Sequence, residues 1–154
     1  MKLLRATILA AAVTFGLPVW ANECEGWNTD GFFKAVSAND VTSCLSAGAD
    51  VNARTESGFT PLHMAAESND NPAVLEVLLA AGADVDARNE YGRTPLHMAA
   101  GYNDNPAVLE VLLAAGADPT ALTEDGRLPF NLAGENPAIK GSKVYWMLND
   151  ALFK

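Results

Sequence analysis

Two histidines and two cysteines are the side chains of this 154-residue sequence that are best suited to reactive chemistry. His63 and His97 each lie inside a copy of the heptapeptide TPLHMAA. A zinc site needs three or four nitrogen, sulfur or oxygen ligands, and no cysteine or carboxylate cluster with ligand spacing accompanies either histidine. We therefore expect no metal and no cofactor.

Other catalytic signatures are also missing from the sequence. There is no GxSxG nucleophile motif. Each glycine is explained as a turn or a helix stop, so no phosphate-binding loop is indicated. The Asp and Glu residues are scattered as on a solvated surface. The sequence predicts that the protein is not an enzyme, and a hydrolase or metalloprotein is the least favoured interpretation.

The cysteines Cys24 and Cys44 leave three interpretations open. A disulfide would close a loop of about 20 residues, and it is favoured because two cysteines with no spare suit an oxidising compartment. Cys44 could instead be a buried thiol, since Leu78 occupies the same position before the second AGADV segment. A redox-active pair is disfavoured because there is no Cys-x-x-Cys motif and no basic flanking residue.

Residues 1–21 have the pattern of a secretory signal peptide. Lys2 and Arg5 precede an apolar run over residues 6–19, which is short for a span of the ~30 Å hydrocarbon core. The small residues Val19 and Ala21 predict cleavage after Ala21. The three residues before Cys24 do not resemble a lipoprotein signal. We expect export to the periplasm, or secretion beyond it.

The charge of the chain excludes two classes of partner. Loss of Lys2 and Arg5 on cleavage would take the formal charge from −9 to −11. Nucleic acids and anionic membranes favour basic surfaces, so we expect neither as a partner. The acidity indicates either a solvated surface, which is favoured, or attraction to a basic partner. We expect a monomer.

The sequence repeats with a period of about 34 residues, which is typical of a stacked array of helical units. The period is marked by three sets of residues: Gly48, Gly82 and Gly116; Gly58, Gly92 and Gly126; Pro61, Pro95 and Pro129.

Each repeat predicts two helices and a loop. Thr60 is a good N-cap before a short helix over Pro61–Ser68. Asn71 precedes a second proline, which favours the start of a second helix at Pro72. This helix, predicted over Pro72–Ala81, carries a broad apolar face. Gly82 is suited to a left-handed helix stop. The polar stretch over 84–92 predicts an extended, hairpin-like finger.

These residues resemble the ankyrin repeat family. The resemblance rests on GFTPLHMAA with EVLLAAGADVDAR, and on GRTPLHMAA with EVLLAAGAD, and it covers about residues 28–152. It implies an all-α solenoid of stacked helix-turn-helix units with hairpin-like fingers. It also implies that His63 and His97 bridge neighbouring units by hydrogen bonds. The family's usual period is 33, and here Asn-Asp-Asn-Pro makes the loop between the helices one residue longer.

The resemblance implies the domain organisation. After the signal peptide at 1–21, residues 22–154 form the ankyrin repeat domain, with an N-terminal capping repeat at 28–54, full repeats at 55–88 and 89–122, and a C-terminal capping repeat at 123–153. The second helix of the first cap is expected to be about one turn short.

A final helix that begins at Ser142 is predicted to close the last repeat. Its apolar residues are expected to cover the open core, with a second docking surface as the alternative. They are Val144, Tyr145, Trp146, Met147, Leu148 and Leu152.

The two full repeats differ at few positions. Between 60–84 and 94–118 only Glu67/Gly101 and Ser68/Tyr102 differ, and the fingers add Thr55/Asn89, Ser57/Tyr91 and Phe59/Arg93. In ankyrin-like proteins the fingers and the ends of the first helices line the concave face, which binds the partner. Drift at exposed positions is the alternative, but the changes produce aromatic residues and arginine, which anchor protein interfaces.

The sequence therefore predicts a non-catalytic protein–protein interaction module with a protein partner of unknown identity. The alternative is an accessory factor that stabilises or protects a periplasmic enzyme. The predicted contacts are Arg54, Glu56, Phe59, Arg88, Glu90, Tyr91, Arg93 and Tyr102.

Overall fold

The protein, described here over residues 24–153 of a computed structural model, is built from consecutive pairs of helices. The predicted signal peptide lies outside these residues. Within them there are eight helices and no strand: α1 (Asp30–Ala35), α2 (Ala38–Ser46), α3 (Pro61–Ser68), α4 (Pro72–Ala80), α5 (Pro95–Tyr102), α6 (Pro106–Ala114), α7 (Pro129–Glu135) and α8 (Lys143–Ala151).

The pairs stack into a solenoid. The first helices α1, α3, α5 and α7 pack in series on one side, and the second helices α2, α4, α6 and α8 pack in series on the other. The predicted all-α architecture is confirmed. In the described part of the chain, no helix is long and apolar enough to cross a bilayer.

The first helix of each full repeat begins and ends where the sequence predicts. Thr60 has extended backbone angles at the N-cap of α3, and Pro61 occupies the first turn, where its missing N–H costs nothing. Residues 61–66 are all buried, because α3 lies between α1 and α5. A helix enclosed on both sides cannot be amphipathic, and its apolar residues accordingly surround it.

The second helix of the repeat ends one residue earlier than predicted. Helix α4 stops at Ala80, and Ala81 is its C-cap. Gly82 follows with φ 92°, and the Ala83 N–H donates to the Leu78 carbonyl at 3.0 Å. This left-handed stop satisfies a carbonyl that has no partner within the helix. Leu78 itself is fully buried, which fixes α4 against its neighbours.

The fingers are hairpin-like, as predicted. The Asn89 N–H donates to the Arg93 carbonyl at 3.1 Å and closes the second finger. Successive fingers are joined through their backbones, since the Glu124 N–H donates to the Tyr91 carbonyl at 3.0 Å. A Cβ at Gly92 would lie 2.9 Å from the Glu124 nitrogen, so glycine is required for this approach.

The prediction for the N-terminal cap is wrong about which helix is short. Helix α2 has nine residues, as many as α4, whereas α1 has six. Ser37 starts α2 early through a capping box, in which its backbone N–H donates to Asp40 at 2.8 Å and its hydroxyl accepts from the Asp40 N–H at 3.3 Å. Helix α1 is therefore the shortened one, two residues shorter than α3.

The predicted disulfide between Cys24 and Cys44 is present, with Cα atoms 5.5 Å apart. It ties the segment before α1 to α2. The same segment carries Trp27, whose indole N–H donates to the Asp50 carbonyl at 2.8 Å and whose ring lies edge-on to Phe33. The buried-thiol interpretation of Cys44 is therefore wrong, although its side chain is indeed buried.

The C-terminal cap begins as predicted, with Ser142 accepting from the Tyr145 N–H. Val144 and Leu148 are fully buried. Tyr145 is half-buried, with its ring 4.8 Å from that of Phe130. The predicted cover of the core is thus confirmed for part of the helix only, because Trp146 and Met147 are 55% and 41% exposed.

A ladder of buried asparagines, which the sequence interpretation missed, joins each repeat to the one before it. The Asn69 Nδ2 donates to the carbonyls of Phe33 and Val36 at 2.7 and 3.1 Å. Asn103 repeats the pattern with Ala66 and Asn69, both at 3.0 Å. Each asparagine follows the first helix of its repeat and donates to carbonyls at the end of the first helix of the preceding repeat. The last carbonyls of an α-helix have no partner within the helix, so the asparagine satisfies them.

We predict that Asn103→Ala lowers the free energy of unfolding by about 2–4 kcal/mol, because two buried carbonyls lose their donor. The matched control is Asp104→Ala, one residue away and exposed, which should change it by less than about 0.5 kcal/mol. Urea unfolding of both variants measures the difference. Equal stabilities would show that the ladder contributes nothing.

Candidate protein-binding face

Each of the two histidines connects the N-cap of its own helix to the backbone of the next finger. His63 Nδ1 accepts from the Thr60 N–H at 3.2 Å and lies 2.9 Å from the Thr60 hydroxyl. Because Nδ1 is an acceptor, the neutral ring carries its proton on Nε2, which donates to the Arg93 carbonyl of the next finger at 3.0 Å. His97 makes the same contacts with Thr94 and the Arg127 carbonyl.

Burial holds both histidines in the neutral form. The pKa of His63 is lowered from 6.5 to about 4, chiefly because water cannot solvate a positive charge on the fully buried ring. The hydrogen bond to the Arg93 carbonyl opposes this shift. The pKa of His97 is lowered for the same reason. The bridging role implied by the resemblance is confirmed. Among residues 24–153, no three histidine, cysteine or acidic side chains group around a metal position.

Two of the predicted contact residues join neighbouring fingers. Arg54 Nη1 donates to the Arg88 carbonyl at 2.9 Å, and Arg88 Nη1 donates to the Leu122 carbonyl at 2.8 Å. Both side chains remain exposed. Their first task in the free protein is thus to hold the spacing of the fingers, and any contact with a partner would be additional.

Three other predicted residues meet on the concave face, which we define as the surface formed by the fingers and the ends of the first helices. The Arg93 guanidinium carbon lies 5.8 Å from the ring centre of Tyr91 and 5.9 Å from that of Tyr102. Arg93 Nη1 also donates to the Tyr102 hydroxyl oxygen at 3.0 Å. The rings are 53% and 50% exposed. The cluster is held in place and is accessible to a partner.

Asn89, buried at the base of the same finger, positions this cluster. Its Oδ1 accepts from the backbone N–H groups of Tyr91 and Arg93, both at 3.0 Å. Its Nδ2 is buried and has no partner within the described residues, a cost of about 1–3 kcal/mol. Thr55 and Thr123 fill this position in the adjacent fingers and accept the equivalent N–H without an amide group.

A cavity of about 480 Å³ opens beside the cluster. Phe59 and Met98 are its apolar wall, and Arg93 and Tyr102 form another side. Asn28 and Thr29, in the segment that the disulfide anchors, complete it. The sequence interpretation had predicted Phe59, Arg93 and Tyr102, but not Met98 or the N-terminal segment. Asn28 and Thr29 come from the N-terminal cap, and Met98 lies on α5 among the repeated core residues, so no local pattern indicated that they line one cavity.

The remaining predicted residues are placed differently. Glu56 and Glu90 are exposed at the tips of the first two fingers. Phe59 is half-buried, with its ring centre 5.7 Å from that of His63. In the third finger, Arg127, at the position of Arg93, forms an ion pair with Glu135. The cluster of arginine with two tyrosines is therefore particular to the second finger.

We predict that the histidines make the fold weaken in mild acid. The unfolded chain binds a proton at His63 near pH 6.5 and the folded chain only near pH 4, so stability is full above pH 6.5 and falls as the pH drops towards 4. The variant His63→Asn introduces the residue that Asn131 provides at this position in the last repeat. Between pH 7 and pH 4.5 its free energy of unfolding should fall by about 2–3 kcal/mol less than that of the wild type.

Denaturant unfolding of wild type and variant at both pH values tests this. The carboxylates with lowered pKa, Asp40 and Asp118 among them, are present in both proteins and cancel. Parallel pH dependence in the two proteins would mean that His63 is not held neutral by burial.

Comparison with known protein families agrees with this architecture. A model of ankyrin repeats (3 copies) matches residues 32–123, more than half of the chain. A comparison with curated proteins finds no match. The matched region begins inside α1 and contains α2 to α6 and the first two fingers, with the bridging histidines and the tyrosine–arginine cluster. Ankyrin repeats are protein–protein interaction modules. The chain belongs to the ankyrin repeat family.

Proposed function

We propose that the protein acts in the periplasm by binding a protein partner on its concave face, and that it performs no catalysis of its own. The observation that carries this proposal is the exposed cluster of Tyr91, Arg93 and Tyr102. Tyrosine and arginine are the residue types enriched among interface anchors. Because the cluster is already ordered, binding loses little side-chain entropy.

The comparison between the two full repeats supports this assignment. Of 25 aligned positions between 60–84 and 94–118, 23 are identical, and Tyr102 is at one of the two that differ. Arg93 is also altered, from Phe59 in the first full repeat. These two altered residues hydrogen-bond to each other. Independent drift at exposed positions does not favour matched changes that build one cluster.

The disulfide supports action outside the cytoplasm. Structural disulfides persist in oxidising compartments. Cys24, the first cysteine of the bridge, lies only a few residues after the proposed cleavage site at Ala21. A leader that is removed after Ala21 would leave the bridge near the new N-terminus.

We predict that protein recovered from the periplasm of a bacterium that expresses the full chain begins at Asn22 and contains the disulfide. Its intact mass should be lower by two hydrogens than that of the reduced chain from Asn22, and no thiol should react before reduction. Full-length chain in the inner membrane, or two free thiols in protein isolated without reductant, would contradict the proposal.

Substitutions should separate the residues that hold the fold from those that we propose to bind the partner. Leu78→Ala should lower the free energy of unfolding by about 2–5 kcal/mol, because a fully buried side chain is lost. Tyr91→Ala with Tyr102→Ala should leave stability within about 1 kcal/mol, because both rings are half exposed. The tyrosine pair should weaken binding by about 2 kcal/mol or more.

Melting curves and titration against a partner captured from periplasmic extract measure these effects. Leu78→Ala is the matched control, since it should bind normally at temperatures where it is folded. If the tyrosine pair melts early and binds as wild type does, the two residues are structural and the concave face is not the binding surface.

A further inference from the structure

The tyrosine–arginine cluster lies between two groups of exposed carboxylates. Glu56, Glu90 and Glu124 occupy the same position at the tips of three successive fingers. Asp70 and Asp104, which also correspond to each other in the repeat, lie in the loops that join paired helices. Tyr102 connects the two groups, since it lines both the cavity beside the fingers and a second cavity that reaches both aspartates.

Within the described residues, the cations of this face form no ion pair with these carboxylates. Lys34 lines the second cavity together with Asp70 and Asp104 but is not paired with either. Arg127 is paired with Glu135. Arg54 and Arg88 bind carbonyls of the next finger. Arg93 lies between the two tyrosine rings. The carboxylates at the finger tips and in the loops are thus left facing solvent, on a chain of net charge −9.

We propose that the partner presents a positively charged segment to this face. Lysine or arginine side chains of the segment stack on the outer faces of Tyr91 and Tyr102, because aromatic faces attract cations, and their charged ends lie among the carboxylates. An apolar side chain of the same segment enters the cavity against Phe59 and Met98. The inference rests on the proposed function, that the concave face binds a protein.

An acidic segment would fit this surface poorly. Near the tyrosines its carboxylates would find Arg93, with one guanidinium nitrogen already donating to Tyr102, and Lys34, which lines the second cavity beside Asp70 and Asp104. They would also lie beside the carboxylates of the finger tips and loops, and like charges brought together across an interface cost binding energy.

Selection from a random-peptide phage library tests the charge of the partner. The immobilised wild-type protein retains peptides, and those that also bind Tyr91→Ala/Tyr102→Ala are removed. The most enriched peptide is then synthesised and titrated calorimetrically against wild type. We expect enriched peptides to be rich in lysine and arginine, with an apolar residue between them, and we expect their binding to weaken as salt is added.

Two charge-neutralised variants make the test specific. Glu56→Gln/Glu90→Gln/Glu124→Gln should weaken binding of the peptide about tenfold, since each exposed pair contributes a modest amount. Glu76→Gln/Glu110→Gln removes exposed carboxylates from α4 and α6, outside the concave face, and should leave binding unchanged. If both variants lose affinity for the peptide equally, the attraction depends on net charge alone, and the inference is overturned.

The other outcomes distinguish this inference from the proposed function. Neutral or acidic peptides that require the two tyrosines would overturn the positive segment and leave the concave face as the binding site. If no peptide prefers wild type over the tyrosine variant, both the inference and the concave-face assignment fail.

Discussion

The stack depends on one constraint, which is that backbone polar groups of one repeat are satisfied by side chains of a neighbouring repeat. His63 donates forward to the Arg93 carbonyl, and Asn69 donates backward to the carbonyls of Phe33 and Val36. Short helices leave a large share of their backbone groups without internal partners. A single repeat therefore has neither a closed core nor satisfied helix ends, and its stability comes from its neighbours.

This constraint explains where the sequence is free to change. Residues that touch both neighbouring repeats must suit two surfaces at once, and the buried residues of α3 are accordingly repeated in α5. The end of the first helix and the finger tip meet solvent and tolerate replacement. Tyr91, Arg93 and Tyr102 occupy such positions, and the backbone of their finger is fixed by Asn89 and by the bond from His63. The concave face is thus variable in its side chains and fixed in its geometry.

The charged residues of the face divide into two kinds by what they contact. Arg54 and Arg88 hold the spacing of the fingers, whereas Glu56 and Glu90 are directed to solvent and make no ion pair within the described residues. Residue type alone did not distinguish them, since all four are exposed. The difference lies in a carbonyl of the next finger, which is available to arginine and not to glutamate.

The sequence by itself determined the repeat and most of its helix starts and stops, because these follow from the period and from local capping chemistry. It favoured the disulfide because the chain has two cysteines and no spare, whereas the bridging histidines were implied by the resemblance to the ankyrin repeat family. Through the same resemblance it indicated the finger and helix-end positions that we propose as contacts for a partner. Only the tertiary structure decided that Arg93 joins Tyr91 and Tyr102, that Met98 and Thr29 line one cavity, and that Asn69 and Asn103 form a ladder. The cavity and the ladder join different repeats, and the cluster joins a finger to the end of a helix in one repeat. The distances between such residues depend on how fingers, helices and repeats pack together, which local sequence patterns do not specify.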